Sequence, residues 1–286
     1  IWVTEQESYL PPVQIGEVMR GGGLAQIVDS QRPDYAVGDL ITGLTGWQEY
    51  LLIDDAAMVQ PVAKGLSVPL PALMGVLGFT GLTAYFGLLD VGRPQPGETV
   101  VISAAAGATG SVAGQIARIK GCRAVGIAGG ADKCAWLTDE LGFAAAVDYK
   151  APDLAGRLRA ACPNGIDVNF ENVGGEIMDT VMEQMNLNGR VALCGLISGY
   201  NSAEPMRGRF DVVLMKRLRV QGFIVLDFLP RFAEGAAQLA QWLREGKLVH
   251  RDTIVEGFEQ APRALNLLFD GGNMGKLLVK CADSIS

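Results

Sequence analysis

A doubly wound parallel α/β sheet beside a smaller β-rich unit is the architecture this sequence predicts, and three observations predict it. The first is the stretch Thr99 to Gly121. There a β-branched run (Thr99 to Ser103) meets a turn of small residues (Ala104 to Gly110), then apolar residues at helical spacing, Val112, Ile116 and Ile119. The second is the alternation that follows. Strand-like and helix-like segments succeed one another up to residue 225, the pattern of right-handed crossover units in a parallel sheet. The third is a change of character at Gly78, before which the chain is rich in Gly and Pro and carries short alternating apolar runs.

In the first 79 residues the segments 13–19, 24–28, 40–44 and 47–53 read as strands, and Tyr50 lies on the last of them. A helical stretch over 79–91 follows, and Gly97 with Glu98 turns the chain into the first parallel strand, 99–103. Next come helix 111–120, strand 123–128, helix 132–141, strand 145–149, helix 153–161, strand 167–172, helix 175–187 and strand 190–195. A helix near 208–216, the strand 219–225 and an amphipathic helix over 230–245 complete this unit. The tail, with a strand near 253–255, a helix around 260–269 and the segment 271–280, is expected to return to the first unit. Residues 1–79 and 252–286 therefore read as one domain and 80–251 as the other.

The strand–turn–helix at 99–121 has a chemical meaning. A helix N-terminus presents free N–H groups and a positive dipole end to an anion. Gly107 and Gly110 let the backbone turn and approach a pyrophosphate where a Cβ would clash. The motif reads Ala105-x-Gly107-x-x-Gly110, with alanine at the first glycine position. The second strand ends in Gly129 and Gly130, with Lys133 just beyond and no acidic side chain at the tip. A missing carboxylate and a nearby cation favour a ribose 2′-phosphate, hence NADP(H) over NAD(H). Asp132 is expected to cap the next helix. Ligands of such sheets sit at the carboxyl ends of the strands. Small and amide residues recur there: Asp148 to Lys150, Glu171 to Gly175, Cys194 to Asn201 and Phe223 to Val225.

Composition narrows the classes. The chain has 286 residues, 49% hydrophobic and 19% charged, enough for one large or two ordinary cores. A net charge of −7 argues against nucleic-acid binding, and no apolar run is long enough to span a bilayer, so no membrane association is expected. Cys122, Cys134, Cys162, Cys194 and Cys281 are scattered and read as reduced cytoplasmic thiols. With one histidine, His250, and no paired cysteines, no metal site is expected. His250 itself reads as a surface residue. The chain starts at Ile1 without methionine, and an upstream piece is expected to be missing.

Five segments together carry a family resemblance: Phe79 to Leu89 (FTGLTAYFGLL), Ala104 to Ser111 (AAAGATGS), Phe170 to Gly175 (FENVGG), Gln221 to Val225 (QGFIV) and Gly272 to Lys276 (GNMGK). The chain is similar to the zinc-independent double-bond reductase branch of the medium-chain dehydrogenase/reductase superfamily, over essentially its whole length. That resemblance implies a Rossmann domain, a GroES-like domain incomplete at its N-terminus, and NADPH-dependent reduction of the carbon–carbon double bond of enones and enals. It implies cofactor contacts at Gly107, Ala108, Thr109, Gly110 and Ser111 for the pyrophosphate, and at Gly129, Lys133, Tyr149 and Asn273 around the adenosine phosphate. Asn172, the loop Cys194, Gly195, Leu196, Ile197, Ser198 and Tyr200, and Phe223, Ile224 and Val225 would line the nicotinamide side.

Two departures from the family stand out. Leu226 occupies the place where eukaryotic members carry a tyrosine that polarises the substrate carbonyl, and the family's usual opening, with another active-site tyrosine, is not present before Ile1. The donor to the carbonyl oxygen is then the cofactor's own ribose hydroxyl, or Tyr50 or Tyr200. Two other activities fit the same residues, NADPH-dependent quinone reduction and non-catalytic NADPH binding. A homodimer through the edge strand 219–225 is also expected, because the sixth strand of a doubly wound sheet is left at an edge.

Overall fold

The computed structural model describes residues 10–65, 68–202 and 208–282. Its first unit is a three-stranded antiparallel sheet of β1 (Gly22–Gln26), β2 (Leu40–Leu44) and β3 (Val59–Pro61), in that order. Two of the four expected strands, 13–19 and 47–53, do not form. Residues 14–17 make a turn, with the Glu17 amide donating to the Gln14 carbonyl at 3.1 Å and Gly16 at φ 94°, after Pro11 and Pro12. Residues 47–53 run as an irregular segment, anchored where the Trp47 amide meets the Met19 carbonyl at 2.8 Å. Apolar alternation alone does not make a strand without a partner edge to pair with. Tyr50 consequently lies on a loop and is 77% exposed.

Helices α1 (Leu70–Met74) and α2 (Phe79–Phe86) lead into the second unit, with a wider π turn over Gly87–Gly92 closed by the Arg93 amide on the Leu88 carbonyl at 2.8 Å. Then β4 (Thr99–Ile102), α3 (Ala108–Ile119), β5 (Arg123–Ala128), α4 (Ala131–Ala135), β6 (Ala145–Asp148), α5 (Leu154–Ala161), β7 (Ile166–Glu171), α6 (Gly175–Glu183), β8 (Met185–Leu193), α7 (Phe210–Lys216) and β9 (Arg219–Gly222) alternate as expected. The strands form one parallel sheet in the order β6-β5-β4-β7-β8-β9, so the chain reverses direction across β4 and β7. Every residue of β4 is buried, which is what covering a parallel sheet with helices on both faces requires. After α8 (Phe232–Arg244), β10 (Asp252–Glu256) pairs in parallel with β11 (Lys276–Lys280), the two bracketing α9 (Ala261–Asp270).

Several boundaries differ from the sequence expectation, and for some the local structural reason is plain. Helix α6 stops at Glu183 rather than 187, because Met185 already pairs with Ile166 of β7. Asn188 then takes a left-handed conformation where the ladder shifts register. Strand β9 ends at Gly222 rather than 225, because Phe223 turns inward and lies edge-on to Phe170 and Phe228, with ring centroids 6.3 and 6.5 Å away. The cap position of α4 is Gly130, not Asp132, which lies in the first turn and makes no cap bond. His250 is not a free surface residue. Its Nδ1 is 3.0 Å from Asp252 Oδ2 and only 20% of its side chain is exposed. Among the described residues no helix is long and apolar enough to cross a membrane.

Candidate cofactor and substrate site

The carboxyl ends of β4, β5, β6 and β7 face a cleft of about 2110 Å³, closed on its other sides by residues 21–53 and by the chain from Ile254 onward. Pockets for a single drug-sized ligand hold roughly 300–1,000 Å³. This one has room for a dinucleotide and a second molecule together.

The glycine turn forms its floor. Gly107 precedes α3 in an extended conformation, so the first helical N–H groups have no partner within the helix and point toward the cleft. A Cβ on Gly110 would stand 2.4 Å from the Ala104 carbonyl oxygen and 2.9 Å from the Ala105 Cα. No side chain fits there without moving backbone. Only glycine lets α3 sit this close to the strand end, and the first residue of the motif need not be glycine, because it is Ala104 that takes the positive φ, 46°. The tail closes over this turn: Gly107 bridges Gly275, and the Gly275 amide donates to the Ala106 carbonyl at 2.8 Å. Through that bridge Asn273 lines the cleft, though it is only 9% exposed.

At the β5 and β6 tips, Gly129, Lys133 and Tyr149 line the cleft. The Lys133 ammonium donates to the Gly271 carbonyl at 2.8 Å. Burial, and then the neighbouring Lys150 cation, lower its pKa from the usual lysine range. Asp148, the acidic group at this tip, has Oδ1 occupied by the amides of Gly130 (2.8 Å) and Lys150 (2.9 Å). Those bonds hold its carboxyl below the usual carboxylate range. Its charge therefore serves the turn.

On the opposite half, Val173, Gly174, Ile197 and Ser198 line the cleft, together with Gly107 and Ala108. Other residues expected there sit behind that surface. Asn172 turns its amide onto the Ser103 carbonyl at 2.7 Å. Cys194 and Gly195 both donate backbone N–H to the Glu171 carbonyl, at 2.8 and 3.1 Å. Burial, then the Glu171 charge, pushes the Cys194 thiol up to about 12, so it stays protonated at neutral pH and is no nucleophile. The Tyr200 hydroxyl accepts from the Leu196 amide of its own loop at 3.4 Å. Phe223 packs over Gly87, where a Cβ would be 2.1 Å from its ring. Ile224 and Val225 enter the short helical turn Val225–Arg231, which also holds Leu226. Thr109, Gly110 and Ser111 form the first turn of α3, with Gly110 and Ser111 buried beneath Ala108. Tyr50 stands at the cleft's outer wall.

Sequence reasoning left Glu171 without a role of its own. Its side chain is 0% exposed and accepts four hydrogen bonds: from Ser103 Oγ (2.7 Å), Asn169 Nδ2 (2.9 Å), the Val173 amide (2.6 Å) and the Gly174 amide (2.9 Å). One signal was available, an acid closing a strand that is buried along its length.

Residues 108–242 match the family model of the zinc-binding dehydrogenases, and residues 1–62 that of an N-terminal domain of oxidoreductases. The chain is 43% identical to an NADPH-dependent curcumin reductase of Escherichia coli over 98% of its own length and 83% of the relative's. It is 39% identical to an NADP-dependent 2-alkenal reductase of Nicotiana tabacum, covering 95% of this chain and 80% of that one. Among solved structures, CurA of Vibrio vulnificus in complex with NADPH superposes with a TM-score of 0.92 at 44% identity, covering 98% of this chain and 85% of that one.

The first family description raises zinc, and the donor set does not fit it. A catalytic zinc takes about three Cys, His or carboxylate ligands and a structural one about four. Among the described residues no group of three such side chains comes together, and the lone histidine is committed to Asp252.

Proposed function

This chain belongs to the zinc-independent double-bond reductase branch of the medium-chain dehydrogenase/reductases, and from that premise we propose that it reduces the carbon–carbon double bond of α,β-unsaturated ketones and aldehydes with NADPH. What supports this reading is one cleft that joins an anion-binding glycine turn, a cationic strand tip and a broad apolar wall that includes Leu24, Ile27, Trp47, Leu265 and Leu277. Residues 1–79 and 252–286 on one side, and 80–251 on the other, are our division of that cleft between two domains.

The glycine turn fits the cofactor because the first N–H groups of α3 have no partner within the helix and Gly107 and Ala108 line the cleft beside them. The amides opening α3 take the pyrophosphate, and Lys133 with Tyr149 takes the 2′-phosphate. Asn273, brought to the cleft by the Gly107–Gly275 bridge, would contact the cofactor on the same side. Bound NADPH supplies a hydride to the electron-poor β-carbon of the substrate. The protein's own part is to orient the two molecules, exclude water, and place a donor where negative charge grows on the carbonyl oxygen. Leu226 cannot donate, and Tyr200, whose hydroxyl accepts from the Leu196 amide, keeps its O–H as one candidate donor. The ribose hydroxyl and Tyr50 at the outer wall are the remaining donors we assign. Positioning therefore carries most of the rate.

Steady-state NADPH oxidation tests the activity. Turnover of a conjugated enone well above that of a quinone is expected. Faster turnover of the quinone would make this a quinone reductase, and NADPH binding without turnover of either would make it a non-catalytic binder.

We also propose a homodimer built on the sheet edge. Strand β9 is outermost, Val220 on it is 38% exposed, and Phe210, Leu214 and Met215 of the neighbouring α7 are 79%, 75% and 71% exposed. An apolar edge of this kind needs covering. Sedimentation at micromolar concentration is expected to give a dimer that Val220→Lys with Leu214→Lys weakens. A wild-type monomer would refute it. The free thiols of all five cysteines suit a reducing compartment such as the cytoplasm.

A further inference from the structure

We propose that Glu171 is a positioning residue for the nicotinamide half of the cofactor site, an inference that rests on the cofactor reading above. Its carboxylate lies behind the cleft wall, and its four partners are neutral donors, the set that an acceptor-only group requires. What those partners have in common is location. Ser103 follows the end of β4, Asn169 lies within β7, and Val173 and Gly174 form the turn that opens α6.

The bonds run on into the cleft wall. The Glu171 carbonyl receives the amides of Cys194 and Gly195, the Asn172 carbonyl that of Ile197 at 3.2 Å, and the Val173 carbonyl both the amide (3.1 Å) and the hydroxyl (2.6 Å) of Ser198. Ser103 Oγ also receives the Asn172 amide at 2.8 Å. The carboxylate thus ties the β4 end to the β7–α6 turn, and the backbone carbonyls of residues 171–173 in that turn carry the loop after β8. Of the cleft-lining residues, Val173 and Gly174 bond the carboxylate directly, and Ile197 and Ser198 depend on it through the placement of those carbonyls. The turn has no stiffness of its own. Gly174 and Gly175 sit at φ 78° and 57°, where a glycine backbone is free to go elsewhere. Removing the acceptor leaves two N–H groups, a hydroxyl and an amide buried without partners, and the turn relieves this by shifting.

The adenosine half is built from other groups, Lys133 and Tyr149 near the β5 and β6 tips and Gly271 after α9, so the two halves are separable. Glutamine is expected to stand in for glutamate. Its oxygen keeps the Ser103 and turn contacts. Its NH₂ meets Asn169 once that amide turns round, since Asn169 Oδ1 is buried without a partner.

The test measures binding by intrinsic fluorescence, with NADPH for the whole site and adenosine 2′,5′-bisphosphate for the adenosine half alone. Glu171→Ala is expected to weaken NADPH by at least about tenfold, because the freed turn no longer holds Val173 and Gly174 at the cleft. It should leave adenosine 2′,5′-bisphosphate within about twofold, and Glu171→Gln should restore NADPH to within about threefold of wild type. Should Glu171→Ala fail to fold, Ser103→Ala replaces it, with NADPH weakened about fivefold and the bisphosphate unchanged. Equal weakening of both ligands, or unchanged NADPH binding, would overturn the proposal. Wild-type protein that binds neither ligand would overturn the cofactor reading beneath it as well.

Discussion

Lys133→Ala is expected to raise the Michaelis constant for NADPH roughly 10- to 100-fold and to leave that for NADH within about twofold, because a hydrogen bond to a charged group is worth roughly 1.5–3 kcal/mol. The ammonium is half-buried, held at the cleft by the Gly271 carbonyl, and adds its charge to that of Lys150. A phosphate arriving there gains a charge-assisted contact that a ribose hydroxyl cannot match. Burial, and then the Lys150 cation, lower the Lys133 pKa from the usual lysine range, and its charge is lost as pH rises through the lowered value. Discrimination between the two cofactors should fall as pH rises through that value. Equal losses for NADPH and NADH in steady-state kinetics would remove Lys133 from the phosphate site.

Gly110→Val is expected to be the most damaging single change at the glycine turn. Its Cβ would lie 2.4 Å from the Ala104 carbonyl oxygen, well inside contact distance and against backbone that has no rotamer to change. Overpacking of a tight interior costs typically about 1–3 kcal/mol, and on the scale of about 2–4 °C per kcal/mol for a chain of this size the melting temperature should fall by roughly 2–12 °C. The same shift moves the opening of α3 away from its ligand, so NADPH should no longer raise the melting temperature of the variant. Thermal melts with and without NADPH read both effects. A variant as stable as wild type, and still stabilised by NADPH, would mean that α3 does not depend on the close approach.

Much of this site is legible in the chain because it rests on local rules. The Thr99–Ile102 run, the small-residue turn and the Val112/Ile116/Ile119 spacing each dictate their own geometry, and the parallel sheet follows from their repetition. Where long-range pairing decides, the pattern misleads. The segment 184–187 has helical spacing but is drawn into β8 by Ile166, and the apolar residues between Trp47 and Ile53 find no edge to pair with. Phe223 lies past the end of β9 because its ring packs over Gly87, a contact that residues far apart in the chain decide. Glu171 is hidden for a related reason: a buried acid's role lies wholly in its partners, and these come from positions 103, 169, 173 and 174.

Which carbon receives the hydride is read directly by isotopic labelling. NADPH deuterated at the transferred position is incubated with the protein and a conjugated enone, and the product is analysed by NMR. Deuterium at the β-carbon of a saturated ketone is the predicted result. Deuterium at the carbonyl carbon of an allylic alcohol would contradict it and make the enzyme a carbonyl reductase.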